Sequence, residues 1–241
     1  KIGAMIQGTN KGVSLFDPVL SEAMVRWFSE PGMVVFDPFA GDETRGYVSC
    51  YLDRKYIGIE LRQEQVDLNY ERIQEAGIGK YCRYFCDTSL NTDKLIKDDS
   101  CDMILTCPPY LFVEKYSDDP KDLSNMTVQE FFDVYKQIIA KTFSKLKNNR
   151  FAVFVVSEVR DKDGTYTGFV PKTIQYMEEA GYSFYNEAIL VNNVNTLRFR
   201  VGKQMNSGRK LGRMHQNVLV FYKGRPDKIK EEFTAIITKD E

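Results

Sequence analysis

Met33-Val34-Val35-Phe36-Asp37-Pro38-Phe39-Ala40-Gly41-Asp42-Glu43-Thr44-Arg45-Gly46 is an apolar, β-branched run that ends in an acid, turns at a proline and a glycine, and opens into a helical pattern. A strand that feeds such a turn and a helix amino terminus leaves backbone amides facing a ligand, with no side chain at Gly41 to obstruct it. The next strand-like run, Tyr56 to Ile59, ends in Glu60, 23 residues after Asp37. Nucleoside-binding α/β folds place an acid on the ribose hydroxyls at about 20 residues. A third run, Tyr81 to Phe85, leads to Asp87, placed to accept a hydrogen bond from an adenine amine. Single acids at strand ends are common because solvent and helix amino termini favour them; three in succession form a pattern. The turn lacks G-x-G-x-x-G, so a nucleoside without pyrophosphate fits better than a dinucleotide.

Outward from this stretch, short β-branched or aromatic runs alternate with longer helical patterns. Cys101 to Thr106 and Phe151 to Val156 read as the fourth and fifth strands, and Phe184 to Val191 and Asn217 to Tyr222 as two more. Helices are expected at Pro18 to Phe28, Gly46 to Leu52, Gln63 to Glu75, Val128 to Leu146 and near Lys172 to Glu179. The fold class is therefore α/β, a doubly wound, mostly parallel seven-stranded sheet with an antiparallel C-terminal strand, whose ligands gather at the carboxyl ends of the strands. The 241 residues are read as one domain. The 43% apolar and 28% charged shares suit a soluble protein, and no apolar run is long enough for a bilayer, so no membrane role is expected. Five cysteines, odd in number and without zinc-site spacing, suit a reducing cytoplasm, and no metal is called for. The first residue is Lys1 and no secretory signal follows, so an upstream domain remains open.

Thr106-Cys107-Pro108-Pro109-Tyr110 ends the fourth strand. Consecutive prolines deny the following residues a helix and leave carbonyls that no local amide satisfies. The tyrosine beyond them supplies a flat face on which a base can stack. The plainer reading is a proline turn beside a core tyrosine.

On these residues the chain resembles the amino-group DNA methyltransferases, whose mark at this strand end is a polar residue followed by Pro-Pro-Tyr. The resemblance extends to the turn Asp37, Pro38, Phe39, Ala40 and Gly41, to Leu15-Phe16-Asp17-Pro18, similar to the segment that closes over the methionine end of the cofactor, and to His215-Gln216-Asn217-Val218-Leu219-Val220-Phe221-Tyr222-Lys223, similar to the family's last strand. The overall pattern is similar to that of phage-encoded members. The resemblance implies S-adenosyl-L-methionine as cofactor, held by Phe16, Asp17, Pro18, the Asp37 to Gly41 turn, Glu60, Leu61 and Asp87. It implies Cys107, Pro108, Pro109 and Tyr110 as the catalytic group and base flipping as the route to adenine N6 or cytosine N4 in DNA, the chemistry of DNA modification and restriction-modification. Two positions depart from the family. Asp42-Glu43-Thr44 stands where a small residue and a second glycine are usual, and Cys107 stands where a stronger acceptor is usual. A covalent cysteine of the cytosine-carbon type would follow a proline, whereas Cys107 precedes two; Ser157-Glu158-Val159 is similar to the second catalytic segment of those enzymes over three residues only.

From Ala188 to Pro226 the chain carries eight basic residues and no acid, in a protein whose 33 basic and 34 acidic residues otherwise balance. Within an insert near 192–214, Arg198, Arg200, Lys203, Arg209, Lys210 and Arg213 are the expected DNA contacts, on a loop made flexible by Gly202, Gly208 and Gly212. An ordinary solvated basic loop is the alternative. His215 is read as a strand start rather than a base. Phe112 to Met126, with several Asp and Ser and Pro120, suggests a mobile lid or a plain surface loop. So short an insert points to an upstream domain or a second subunit for reading a sequence. Competing functions are methylation of RNA or another amine, and a weakly catalytic DNA-binding subunit of the same fold.

Overall fold

The computed structural model describes residues 16–193 and 197–236; Leu15 and residues 194–196 of the basic insert lie outside them. Seven strands, β1 (Val34–Asp37), β2 (Lys55–Glu60), β3 (Cys82–Cys86), β4 (Cys101–Thr106), β5 (Leu146–Val156), β6 (Ser183–Val191) and β7 (His215–Lys223), form one sheet in the order β3-β2-β1-β4-β5-β7-β6. The first five strands pair in parallel, and β7 runs antiparallel to both β5 and β6. From β1 the chain winds outward to β2 and β3, then crosses back to β4. The order therefore reverses between β1 and β4, the position at which open α/β sheets part their loops into a crevice.

Helices α1 (Pro18–Phe28), α2 (Thr44–Tyr51), α3 (Gln63–Glu75), α4 (Thr92–Leu95), α5 (Val128–Lys145), α6 (Phe169–Ala180), α7 (Leu197–Gly208) and α8 (Ile229–Glu232) complete the described elements. Met24, Val25, Tyr47, Val48, Val66 and Ile73 from α1, α2 and α3 bury one face of the sheet. Phe131, Tyr135 and Ile138 of α5 and Phe169 and Met177 of α6 bury the other.

Local chemistry fixes the ends that matter. Pro18 opens α1, and Oδ1 of Asp17 accepts from the amides of Val19 and Leu20 (2.8 and 2.9 Å), satisfying two otherwise orphaned donors. Thr127 and Glu130 form a reciprocal capping box on α5. Helix α6 begins at Phe169, three residues ahead of the sequence expectation, because Pro171 falls in the first turn, where its missing amide costs nothing. Its amino end is capped from outside: Glu158 accepts from the amides of Phe169 and Val170 (3.2 and 3.0 Å). Glu158, of the segment Ser157-Glu158-Val159, is thus engaged as the cap of α6.

The basic insert corrects the sequence reading. Residues 197–208 are helical rather than a glycine-broken loop, with Gly202 in the helix interior. Interior glycine costs a helix about 1 kcal/mol relative to alanine, which weakens it without forbidding it. No residue of α7 is buried, and Phe199 is 72% exposed.

Candidate active site

Asp37 organises the site from behind. It is fully buried, and its carboxylate accepts from Nε of Arg45 (2.5 Å), the hydroxyls of Tyr56 (3.0 Å) and Thr106 (2.6 Å), and the amide of Phe39 (3.0 Å). One side chain thus ties the end of β1 to α2, β2 and β4. Nη2 of Arg45 donates in turn to the carbonyls of Phe39 and Ala40, both at 2.9 Å, clamping the turn. Burial opposes the charge on Arg45, but Asp37, helped by Tyr56, Cys107 and Asp42, outweighs it, and the guanidinium is held protonated above its ordinary range. Gly41 sits at φ +53°, a left-handed conformation that glycine adopts without strain. A Cβ on Gly46 would lie 2.3 Å from the hydroxyl of Tyr84, so this glycine lets α2 settle on the sheet.

In front of the clamped turn lies a cavity of about 740 Å³ along the carboxyl edge of the strands. Across the sheet its lining runs from Asp87 after β3 and Glu60 at the end of β2, through Pro38, Phe39 and Gly41 after β1, to Cys107, Pro108, Pro109 and Tyr110 after β4 and Gln216 on β7. Phe16, Asp17 and Pro18 close over it, joined to the turn because Oδ2 of Asp42 accepts from the amide of Phe16 (3.2 Å). Leu61 also borders it. All four expected catalytic residues and nine of the eleven expected cofactor residues therefore share one cavity. Asp37 and Ala40 do not line it; Asp37 stands behind the turn, spent on the four bonds above, and Ala40 is fully buried.

Glu60 is the better-placed acid. Its Oε1 accepts from the amide and Nε of Arg62 (3.0 and 3.2 Å), and its Oε2 from the amide of Gly41 (3.1 Å). Burial raises its pKa, opposed by these same bonds. Oε2 keeps a lone pair, so the donor set fits a sugar hydroxyl. Asp87 accepts from the amide of Thr88 and the side chain of Asn91 and retains acceptor capacity. An acid for a ribose, an acid for an adenine amine and a glycine turn between apolar walls match the needs of S-adenosyl-L-methionine.

At the other end the thiol of Cys107 lies 3.6 Å from the Tyr110 hydroxyl, which donates to Oε1 of Gln216 at 2.9 Å. Burial, more than any neighbouring group, pushes the Cys107 thiol up in pKa, so it stays neutral. Burial also keeps the Tyr110 hydroxyl protonated, well above the usual range. The Tyr110 ring meets Phe169 edge-on, with centroids 6.0 Å apart. Among the described residues no donor reaches the Pro108 carbonyl, the free acceptor expected of the double proline.

Arg45, Asp42, Tyr116, Lys121, Asn192 and Gln216 also line the cavity and were not picked out as site residues from the sequence. For Gln216 a signal existed: an antiparallel β7 must begin at the edge where the parallel strands end. The 112–126 segment carries hydrogen bonds of its own. Ser117 and Ser124 donate to Asp122, and Asn125 to the carbonyls of Ser117 and Asp119. The expected DNA contacts divide. Arg198, Arg200, Lys203 and Arg209 are exposed and Lys210 partly so, but Arg213 donates to Ser157 (3.1 Å) and Asn217 (2.6 Å) and braces the start of β7.

This sheet order, with the cavity at its switch point, is the Rossmann-like methyltransferase fold. TrmN from Thermus thermophilus superposes with a TM-score of 0.58 at 16% identity, covering 86% of this chain and 49% of that one. A geranyl diphosphate methyltransferase in complex with SAM gives 0.59 at 12% identity, over 92% and 94% of the two chains. Residues 16–71 match a family model described as DNA methylase, that of the N6 and N4 methyltransferases, a stretch of less than a quarter of the chain. Curated relatives agree. The chain is 36% identical over 61 residues to the orphan methyltransferase M.BamHII of Bacillus amyloliquefaciens, 25% of this chain and 23% of that protein. It is 38% identical over 73 residues to the type II methyltransferase M.HinfI of Haemophilus influenzae, 30% of this chain and 19% of that one. It is 44% identical over 48 residues to the DNA adenine methyltransferase YhdJ of Escherichia coli, 20% of this chain and 16% of that protein. The match thus spans less than a quarter of the length of each of these relatives. Among the described residues no helix is long and apolar enough to cross a membrane.

Proposed function

We propose that this protein transfers a methyl group from S-adenosyl-L-methionine to the exocyclic amine of adenine (N6) or cytosine (N4) in DNA, working in the cytoplasm. The observation that carries the reading is the single cavity that has Glu60, Asp87 and the Gly41 turn along one stretch and Cys107 to Tyr110 along the next. When bound, the cofactor supplies an activated methyl on a sulfonium, a good leaving group. The chain's own residues then do positioning work. An aromatic-ring amine is a weak nucleophile because its lone pair is delocalised into the ring. The Pro108 carbonyl accepts a hydrogen bond from one N–H of the amine and favours the pyramidal nitrogen that attacks; the proton that the methylated nitrogen sheds passes to solvent. Cys107, neutral and a weak acceptor, contributes less than the polar residue usual at its position. Tyr110, pinned by Gln216 and Phe169, supplies the stacking face for a base taken out of the duplex, which offsets part of an unstacking cost of a few kcal/mol.

Radiolabelled methyl transfer to duplex DNA, single-stranded DNA and RNA, followed by nucleoside digestion, tests the reading. The expected product is N6-methyladenine or N4-methylcytosine from DNA. Label in RNA alone, or no transfer despite cofactor binding, would overturn it.

The single domain with a basic DNA-contact insert near 192–214 belongs to the same proposal. Exposed Arg198, Arg200, Lys203 and Arg209 and half-buried Lys210, on and after α7, support phosphate contacts, whereas Arg213 serves the fold. Five neutralised phosphates give a logarithmic salt slope of about −4.5. Titrating duplex affinity against salt checks this, and a slope near zero removes α7 from the interface. Reading of a sequence by a second subunit or a further domain fits so small an insert.

A further inference from the structure

Arg45 is the one buried basic side chain in the lining of the cavity, and its donors are only partly used. Its Nε is taken by Asp37 and its Nη2 by two carbonyls, which leaves Nη1 with no acceptor among the described residues. The side chain is 5% exposed and that remainder borders the cavity. Phe16 lies against the guanidinium, with Cζ 4.5 Å from the ring centroid, and so fixes its plane. A buried guanidinium nitrogen with free protons, held rigid on three sides, is a pre-set receptor for an anion. Asp42, which shares this part of the cavity and among the described residues accepts from the amides of Phe16 and Thr44, adds a negative pole beside it. A cation and a carboxylate side by side are complementary to an α-amino acid in its zwitterionic form.

We infer that Arg45, through Nη1, holds the α-carboxylate at the amino-acid end of the cofactor, with Asp42 facing the α-ammonium. The inference rests on the reading that this cavity takes S-adenosyl-L-methionine. It also accounts for the departure of the turn from its family: Asp42-Glu43-Thr44-Arg45 replaces a second glycine, whose part is backbone approach, with side-chain recognition.

The test compares two ligands by calorimetry. S-adenosylhomocysteine carries the amino-acid end; 5′-methylthioadenosine keeps the nucleoside and the sulfur without it. Arg45→Met is expected to weaken S-adenosylhomocysteine by about 10- to 100-fold more than methylthioadenosine, the scale of a lost charge-assisted hydrogen bond, since loss of the clamp on the turn bears on both ligands alike. Equal loss for both ligands, or loss for neither, would overturn the inference, the first by showing Arg45 to be only a clamp of the turn. In the wild-type protein, the side-chain nitrogen resonances of Arg45 are expected to shift with S-adenosylhomocysteine and not with methylthioadenosine. This reading stands if Arg45→Met does not fold, and identical spectra with both ligands would likewise overturn the inference. Should the wild type bind neither ligand, it is the cofactor reading of the cavity that fails.

Discussion

Asp37→Ala is expected to be the most damaging single substitution in the chain, lowering stability by about 3–5 kcal/mol, because it strands a buried cation. Arg45 is 4% exposed and protonated, and Asp37 is the carboxylate that its Nε meets. Removing that partner also leaves the hydroxyls of Tyr56 and Thr106 without their acceptor inside the sheet. Urea denaturation of the purified protein measures the effect. A second comparison separates the charge from the packing. Asp37→Ala combined with Arg45→Met is expected to recover part of the loss, since removing both members of a buried pair costs less than removing one. If the single and double variants are equally destabilised, the stranded charge is not the cause.

Tyr110→Ala is expected to reduce methyl transfer to duplex DNA by about 10- to 100-fold, the equivalent of a base–aromatic stack worth about 1–3 kcal/mol. Binding of S-adenosylhomocysteine should hold, because Glu60, Asp87 and the Gly41 turn sit on other strands. Tyr110→Phe isolates the hydroxyl. It keeps the ring and loses the bond to Gln216 and the weaker contact from the Cys107 thiol, which together are expected to cost about 1 kcal/mol. Turnover of Tyr110→Ala at the wild-type rate would remove the stack from the mechanism.

Both residues were visible in the sequence, but for different reasons. Tyr110 was read as the stacking face for a base and lies in the cavity wall, because Pro108 and Pro109 stop the chain at the strand end whatever surrounds them. Asp37 was read as a cofactor ligand, and its geometry makes it the post behind the turn. The four groups that claim it come from β2, β4, α2 and the turn itself, and such long-range convergence has no local sequence signal. The strands were legible for the opposite reason, since alternating apolar runs and capped helices are local: α1 and α3 fall at their expected residues. The helix at 197–208 was hidden by Gly202 and by the lack of any buried face to impose a helical period. Arg45 was passed over because a basic residue on a helix next to a turn normally faces solvent; only the packed sheet makes it internal.

The antiparallel course of β7 has a consequence for how such a protein changes. The basic helix leaves from the end of β6 and returns at the start of β7, both at the edge of the sheet that carries the cavity. It is the tip of a hairpin rather than a crossover, so nothing in the sheet depends on its length. Doubling a flexible connection adds only about 0.6 kcal/mol of closure entropy. On the proposed function, exchange of the segment between Val191 and Arg213 is the change expected to alter target preference with least disturbance of the sheet, Arg213 being kept as the brace of β7.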